Sequence, residues 1–522
     1  MKKSILSLSA AAALGGLGFA GSAHAIGYMG VPATPPGLPA ATMNVINPGG
    51  VGNMLFTPYF SAQGSSATLF NITNTDGVNG KAVKVRFRGA ANSDDVLDFT
   101  VFLSPGDVWS ASVSRNADTG LARISTSDKS CTIPDASAWP ADFMTLRLAQ
   151  YLSPEVLAQN ANEGYIEILT MADIPPLLAG TTTANPLFKN IKHVSGVAPC
   201  DGAAFSTLLT PVAATAAEAE AAGLSASTGG LMGTWAVANQ DNFAMFSGNH
   251  VAVASTNAVR FVNLAPNPAY TNIVFTPQVG SNLDTVAFPA ANVTADPLLQ
   301  AGTVTPLWFD LPDMSTPLLV APAVTEPEIQ ALNVSGALAH RAVLNDYVAN
   351  VADAAVPMMT DWVVSQPTRR YFAVMDYATS AATATVVPNT TAVALPPLSP
   401  FTVSNPYAGV LSKVITDMGP QACMSVGFGS TDREERVNVT GGSFSPGVTR
   451  PTCGEVFVVK FGATSTLNAA VTTRQVAPVG TEGWASLTLP TALPVVGFAA
   501  TTINNTSSGA HYGWTLPHRF SN

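Results

Sequence analysis

Six histidines, seven tryptophans and one dense run of alternating charge are the residues of this 522-residue chain best equipped for chemistry. His24, His193, His250, His340, His511 and His518 are scattered, with no HExxH and no pair spaced for zinc or haem. Each reads as a surface or half-buried side chain rather than a proton shuttle. The nucleophile motifs GxSxG and SxxK are absent, as are the phosphate-cradling glycine loops. The run Asp432-Arg433-Glu434-Glu435-Arg436 offers three carboxylates, Asp432, Glu434 and Glu435, for Ca²⁺ or for acid–base work. Its spacing matches no EF-hand loop, and its two arginines would neutralise the acids, so a solvated turn between strands is the expected structure. Asp94-Asp95 and the pair Asp310 and Asp313 read as turn residues first and Ca²⁺ ligands second. Arg369-Arg370 beside Tyr371-Phe372 would suit an anion or a sugar ring, or would cap a strand with the arginine stems on the aromatics. Trp109, Trp139, Trp235, Trp308, Trp362, Trp484 and Trp514 are spread evenly, which favours core packing over a carbohydrate platform.

The four remaining reactive side chains are Cys131, Cys200, Cys423 and Cys453. An even count without CxxC points to disulfides in an oxidising compartment rather than to zinc or thioredoxin-type chemistry. Three connectivities are open. Sequence proximity favours Cys131–Cys200 and Cys423–Cys453. The start of the chain fits export: Lys2 and Lys3, an apolar Ile5–Phe19 stretch, then Ala23-His24-Ala25 as a cleavage site before Ile26. The apolar stretch is too short for a membrane span, and no later one reaches about 18 residues.

Charged residues are 11% of the chain, against about 25% in ordinary globular proteins. The net charge of −10 becomes −12 once Lys2 and Lys3 are removed. That balance excludes the basic footprint of a nucleic-acid binder and disfavours anionic lipid. A weakly charged surface with a mean hydropathy of +0.27 favours association, with itself included.

What must position these residues is a series of short strands. In the stretch from Met54 to Arg115, Val83, Val85 and Phe87 alternate with Lys84, Arg86 and Arg88, and Leu97, Phe99, Val101 and Leu103 with Asp98 and Thr100. Period-two alternation in adjacent runs predicts a half-buried antiparallel sheet, with Asp98 across from Arg86. Ser153-Pro154-Glu155 predicts a short helix to about Asn160. Further strands are expected at 121–127, 165–169, 231–238, 243–254 and 258–264. In the second half they are expected near 361–366, 370–375, 414, 423–428, 437–440, 456–461, 484–489 and 495–503. Residues 213–222 have helix propensity, and a helical stretch with a break at Gly336 is expected from Thr325 to about Val348.

The domain reading is a signal peptide at 1–25, a Pro/Gly-rich leader at 26–50, a first β-sandwich at 51–265, a connector at 266–324 and a second β-sandwich at 325–522. The fold class is mainly β: two antiparallel, immunoglobulin-like sandwich domains with short helical insertions. Glu163-Gly164-Tyr165 and Glu482-Gly483-Trp484, with Met232-Gly233-Thr234-Trp235 and Val496-Gly497-Phe498, hint at two copies of one plan.

The runs NMLFTPYFS, TLFNITNTD, KAVKVRFRGA, DVLDFTVFLSPGDVW, EGYIEIL, TDWVVSQPTRRYFAV, STDREER and LPVVGFAAT together resemble a family of secreted Gram-negative proteins described only as cell surface proteins. The resemblance covers most of the mature chain and implies an exported, β-rich, envelope-associated protein. It implies no catalytic residue. The expected function is therefore non-catalytic: a cell-surface or extracellular protein, with the periplasm as second choice, partnered by itself or other envelope components. The alternative is a secreted glycan-binding protein or hydrolase with carboxylates and aromatics on loops. No cofactor is expected beyond Ca²⁺ at the candidates above.

Overall fold

A computed structural model describes residues 44–210, 212–213, 216–255, 272–273, 275–277, 328–349, 356–371, 373–376, 385–388, 406–407, 409–439, 450–505 and 508–521. The signal and cleavage site, most of the leader, the strand expected at 258–264, Trp308, Asp310, Asp313 and most of the connector lie outside the described residues. The fold is mainly β, in several antiparallel sheets.

The first half supplies β1 (Asn44–Ile46), β2 (Met54–Ser61), β3 (Ser66–Asn74), β4 (Gly80–Gly89), β5 (Asp95–Leu103), β6 (Val108–Arg115), β7 (Ala122–Ser125), β8 (Cys131–Ile133) and β9 (Ala141–Asp142). After the helix Pro154–Ala161, capped by Ser153, come β10 (Glu163–Ile174), β11 (Val212–Ala213), β12 (Leu231–Met232), β13 (Thr234–Asn239), β14 (Ala244–Asn249), β15 (Val251–Ser255) and β16 (Asn272–Ile273). Sheet 1 runs β1-β15-β2-β10-β4-β5-β8, and sheet 2 runs β14-β13-β3-β6-β7-β9 with β12 on β3. Val83, Val85, Phe87, Phe99 and Val101 of sheet 1 meet Phe70, Ile72, Trp109 and Val113 of sheet 2 in one apolar cluster. The Phe60, Phe70 and Phe87 rings pack edge to face within it. Arg86 does sit across from Asp98. The half-buried expectation is corrected, however: every residue of β4 and β5 is buried, so this sheet is covered on both faces.

The second half supplies β17 (Ala339–Val348), β18 (Met358–Ser365), β19 (Ala373–Asp376), β20 (Thr385–Pro388), β21 (Leu411–Thr416), β22 (Gly419–Asp432), β23 (Val437–Val439), β24 (Arg450–Cys453), β25 (Val456–Lys460) and β26 (Thr473–Gln475). It ends with β27 (Glu482–Pro494), β28 (Val496–Asn505), β29 (Ala510–Pro517) and β30 (Arg519–Ser521). Sheet 3 runs β21-β22-β27-β17-β30, with β23 and β24 also on β22, and sheet 4 runs β26-β25-β18-β28-β29. Two expectations change here. The helix stops at Ala337, and 339–348 is a strand paired with β27. Arg369–Tyr371 is a 3₁₀ turn, and β18 pairs with β25 and β28 instead of forming a hairpin with 373–376.

The two halves share one plan. In sheet 1 the order β15-β2-β10-β4-β5 matches β30-β17-β27-β22 followed by β23 and β24 in sheet 3; in sheet 2, β14-β13-β3-β6-β7 matches β29-β28-β18-β25-β26 in sheet 4, except that β26 runs parallel to β25, against the antiparallel expectation, while β7 runs antiparallel to β6. Chain order matches as well. The match holds to the residue: Gly164 and Gly483 are each the second residue of the strand, β10 between β2 and β4 or β27 between β17 and β22, that takes the same place in its half. A Cβ on Gly164 would lie 1.7 Å from the Arg88 carbonyl oxygen, and one on Gly483 would lie 2.0 Å from that of Thr431, so both positions require glycine. The halves do not keep separate cores. Val363, Val456, Val458, Phe498 and Ala500 on the outer face of sheet 4 join the first half's cluster, while Met54, Phe56 and Leu169 join the cluster between sheets 3 and 4. Trp235 packs on Phe498 across this junction at 4.6 Å between ring centroids. Disulfides Cys131–Cys200 and Cys423–Cys453 close loops of 69 and 30 residues, one in each half.

Candidate functional site

The second face of sheet 1 carries the densest assembly of ionisable groups. Strand alternation places Lys84, Arg86 and Arg88 of β4 on that face, and the register lays them in rows: Tyr165–Arg88–Asp95, Glu167–Arg86–Asp98 and Leu169–Lys84–Thr100. Arg88 gives Glu167 two hydrogen bonds of 3.2 Å, from Nε and Nη2. Asp95 stands 3.8 Å from both Arg86 and Arg88 and 3.5 Å from Arg147. Lys84 pairs with Asp98 at 3.3 Å and donates to the Thr276 carbonyl at 3.2 Å. All of these side chains are at most 2% exposed. Burial pulls the Lys84 ammonium below its ordinary pKa, against the pull of Asp98.

The second half covers the Tyr165–Glu167 end of this layer, while the Phe275 and Thr276 carbonyls meet Lys84 and Thr100 at the other end. The Tyr165 hydroxyl lies 3.0 Å from Glu167 and 3.1 Å from Glu455, and 2.9 Å from the Ser93 hydroxyl. Burial raises the Glu455 carboxyl to about 7; Arg369, at 3.9 Å, opposes the rise, and the Glu167 charge adds to it. Main-chain N–H groups of Glu455 and Val456 both donate to the Ala90 carbonyl at the β4–β5 tip. At the same junction Glu163 accepts from the Ala470 and Val471 N–H groups, and Asp361 from Ser465, Thr466 and Leu467. Burial raises both carboxyls, Asp361 to about 6. Such a layer is costly to desolvate and costlier to break, and it fixes register. With its groups shielded from water, it acts as a joint between the halves rather than as a cleft for substrate.

The residues singled out from the sequence do not converge. Asp432 ends β22 and binds the N–H groups of Glu434 and Arg436, and Arg436 reaches its carboxylate at 2.6 Å. Arg433 pairs with Glu482 at 2.7 Å, and Arg433, Glu434 and Arg436 are all exposed. Asp432, Glu434 and Glu435 therefore lie in a turn in which Arg436 meets Asp432 and Glu434, and Glu482 of β27 meets Arg433. Among the described residues no group of three or more His, Cys, Asp or Glu side chains is placed to hold a metal ion. Asp94 and Asp95 are buried rather than solvated in a turn, since Asp95 faces three arginines. Arg369 and Arg370 are also buried; Arg369 donates to the Gly454 and Ala422 carbonyls and so clamps the chain beneath the joint. Trp109, Trp235 and Trp362 are core residues, while Trp484 is 48% exposed.

Sequence reasoning missed Glu163, Glu167 and Glu455, and it read His250, His340 and His518 as surface or half-buried residues when all three are buried. The signal for Glu163 and Glu167 was their alternation with Gly164, Ile166 and Ile168 along β10. No protein family, curated protein or solved structure matches the chain. No helix among the described residues is long and apolar enough to cross a membrane.

Proposed function

We propose that this is an exported, non-catalytic structural or adhesive protein of the cell surface, built from two immunoglobulin-like β-sandwiches and acting through self-association or attachment. The observation that carries the reading is the use to which its ionisable side chains are put. The cations and carboxylates of the β4, β5 and β10 layer are spent on one another in a buried layer whose Tyr165–Glu167 end lies at the joint between the halves. What faces solvent is large, sparsely charged sheet and loop surface with isolated apolar residues such as Phe243, Val437, Trp484 and Tyr512. Two disulfides suit an oxidising, extracytoplasmic setting. The shared strand order of the halves, each with apolar residues between its two sheets, supports the paired-sandwich description.

Cell fractionation with size-exclusion chromatography and negative-stain microscopy of the mature protein tests this reading. Recovery in the envelope or medium as ordered assemblies supports it; a monomer confined to the cytoplasm overturns it. One observation favours glycan attachment as a second reading. Exposed Trp484 lies in register with Thr431 and, beyond it, exposed Val437 on sheet 3, beside the Arg433–Glu482 pair. A glycan array on which binding is lost with Trp484→Ala would select that reading.

A further inference from the structure

His250 and His518 occupy the same place in the two halves. Each directly follows the edge strand that comes last in chain order in its sheet, β14 in sheet 2 and β29 in sheet 4, and reaches across to the other sheet of its half. His250 Nε2 lies 3.0 Å from the Asn71 carbonyl of β3, and its Nδ1 lies 2.8 Å from the Thr57 hydroxyl of β2. His518 Nε2 lies 2.9 Å from the Val363 carbonyl of β18, and its Nδ1 lies 2.9 Å from Asn345 Nδ2 of β17. A glycine makes room for each ring. A Cβ on Gly233 would lie 2.8 Å from His250 Cδ2, and one on Gly497 would lie 2.9 Å from His518 Cδ2. The rings are 2% and 5% exposed.

The carbonyls can only accept, so Nε2 carries the proton in both rings and Nδ1 must accept. Asn345 is pinned as the donor: its Oδ1 already accepts from the Asp346 N–H, and its Nδ2 also reaches the Leu516 and Pro517 carbonyls. A second proton on His518 would therefore face an N–H group. The Thr57 hydroxyl can turn and accept, which makes His250 the more tolerant tie. Burial holds both imidazoles well below the ordinary range, His250 at about 4 and His518 at about 3.

We infer that His250 and His518 are paired acid-sensitive ties, each holding the two sheets of its half together more firmly as a neutral imidazole than as a charged one. The elements around His250, β2, β3 and β13, carry no acidic or basic side chain that could keep a charged ring. Around His518, β17 has Arg341, Asp346 and the buried His340, stacked on Phe520, β29 has His511, and β30 has Arg519, which lies 3.9 Å from Asp346 with both side chains more than half exposed. β18 has Asp361, already bound by Ser465, Thr466 and Leu467. Among the described residues the ring also packs on the aromatic rings of Trp362 and Phe520.

Below the ordinary histidine pKa of about 6.5 the open form takes up a proton that the tied form refuses, so opening grows about tenfold per pH unit at each tie. Glu455 and Asp361 titrate in the opposite sense, so the readout must be local. Amide exchange of the mature protein, corrected for intrinsic rate, is followed at pH 7 and pH 4.5 in β2–β3 with β15 and in β17–β18 with β30. The expected result is about 100-fold faster opening at pH 4.5 in both regions. That dependence is lost in the first region with His250→Gln and in the second with His518→Gln. Should His518→Gln fail to fold, Asn345→Asp carries the test at that tie, and the wild-type C2-exchange curve of His250 carries it at the other. The introduced carboxylate accepts from a doubly protonated ring, so opening at β17–β18 and β30 no longer grows in acid while β2–β3 and β15 still respond. Equal acid response in wild type and variants, or wild-type histidine C2-exchange curves with midpoints near 6.5 at both rings, would overturn the inference.

Discussion

Glu455 is the most informative single residue of the joint. Its carboxyl titrates near 7 in the folded chain and near 4.5 when free. The sign follows directly. Below pH 4.5 the group is protonated in both states and contributes nothing pH-dependent. As pH rises from 4.5 through 7 the unfolded chain ionises freely while the folded chain must ionise a buried carboxyl, with Glu167 beside it, so stability is lost. At 1.36 kcal/mol per unit, that loss reaches about 3 kcal/mol by pH 8.5. Glu455→Gln keeps the shape and a hydrogen-bonding group beside Tyr165 but cannot ionise. Urea unfolding of the mature protein, disulfides intact, at pH 4.5 and pH 8.5 measures the difference. The variant is expected to match wild type within about 1 kcal/mol at pH 4.5 and to exceed it by about 2–3 kcal/mol at pH 8.5. A variant weaker than wild type at pH 8.5 would refute the reasoning. It would mean that the ionised carboxylate facing Arg369 holds the joint.

Gly164→Ala places a Cβ against the Arg88 carbonyl and should cost about 3 kcal/mol or more in thermal unfolding, as should Gly483→Ala at the matching site. Removing Cys423–Cys453 by paired serine substitution frees a 30-residue loop and should lower stability by about 3–4 kcal/mol in denaturant titration. Trp109→Ala empties the centre of the first half's core and should cost about 3–5 kcal/mol by the same measurement.

Period-two alternation made β4, β5 and the Arg86–Asp98 register legible, because a strand exposes its two faces in strict turn. The Ser153 cap was legible for the same kind of local reason. Strand β17 was not. Ala339-His340-Arg341-Ala342 is rich in helix formers, and a register shift between His340 and Ala342 breaks the alternation. The 369–371 turn was hidden too, since nothing local announces that Thr368 adopts φ of 78° and redirects the chain. The ionic layer looked like a wet face because its cover is remote: Tyr165 meets Glu455 across 290 residues. The histidine ties escaped because their spacing differs. His250 follows Gly233 by 17 residues and His518 follows Gly497 by 21, the difference being taken up in loops. Only the pairing of strands brings each glycine and histidine together.

Two units with one strand order in one chain invite trading of a segment between them while the chain folds. The ionic rows discriminate against the trade. Where β4 sets Lys84, Arg86 and Arg88, the matching positions of β22 hold Gly427, Gly429 and Thr431. With β22 seated beside β10 and β5, Glu167 and Asp98 would be interred without their cations. With β4 seated in sheet 3, three positive charges would meet Thr488, Ser486 and Trp484. Lys84, Arg86 and Arg88 thus serve as an address label, readable only by the neighbours they were made for.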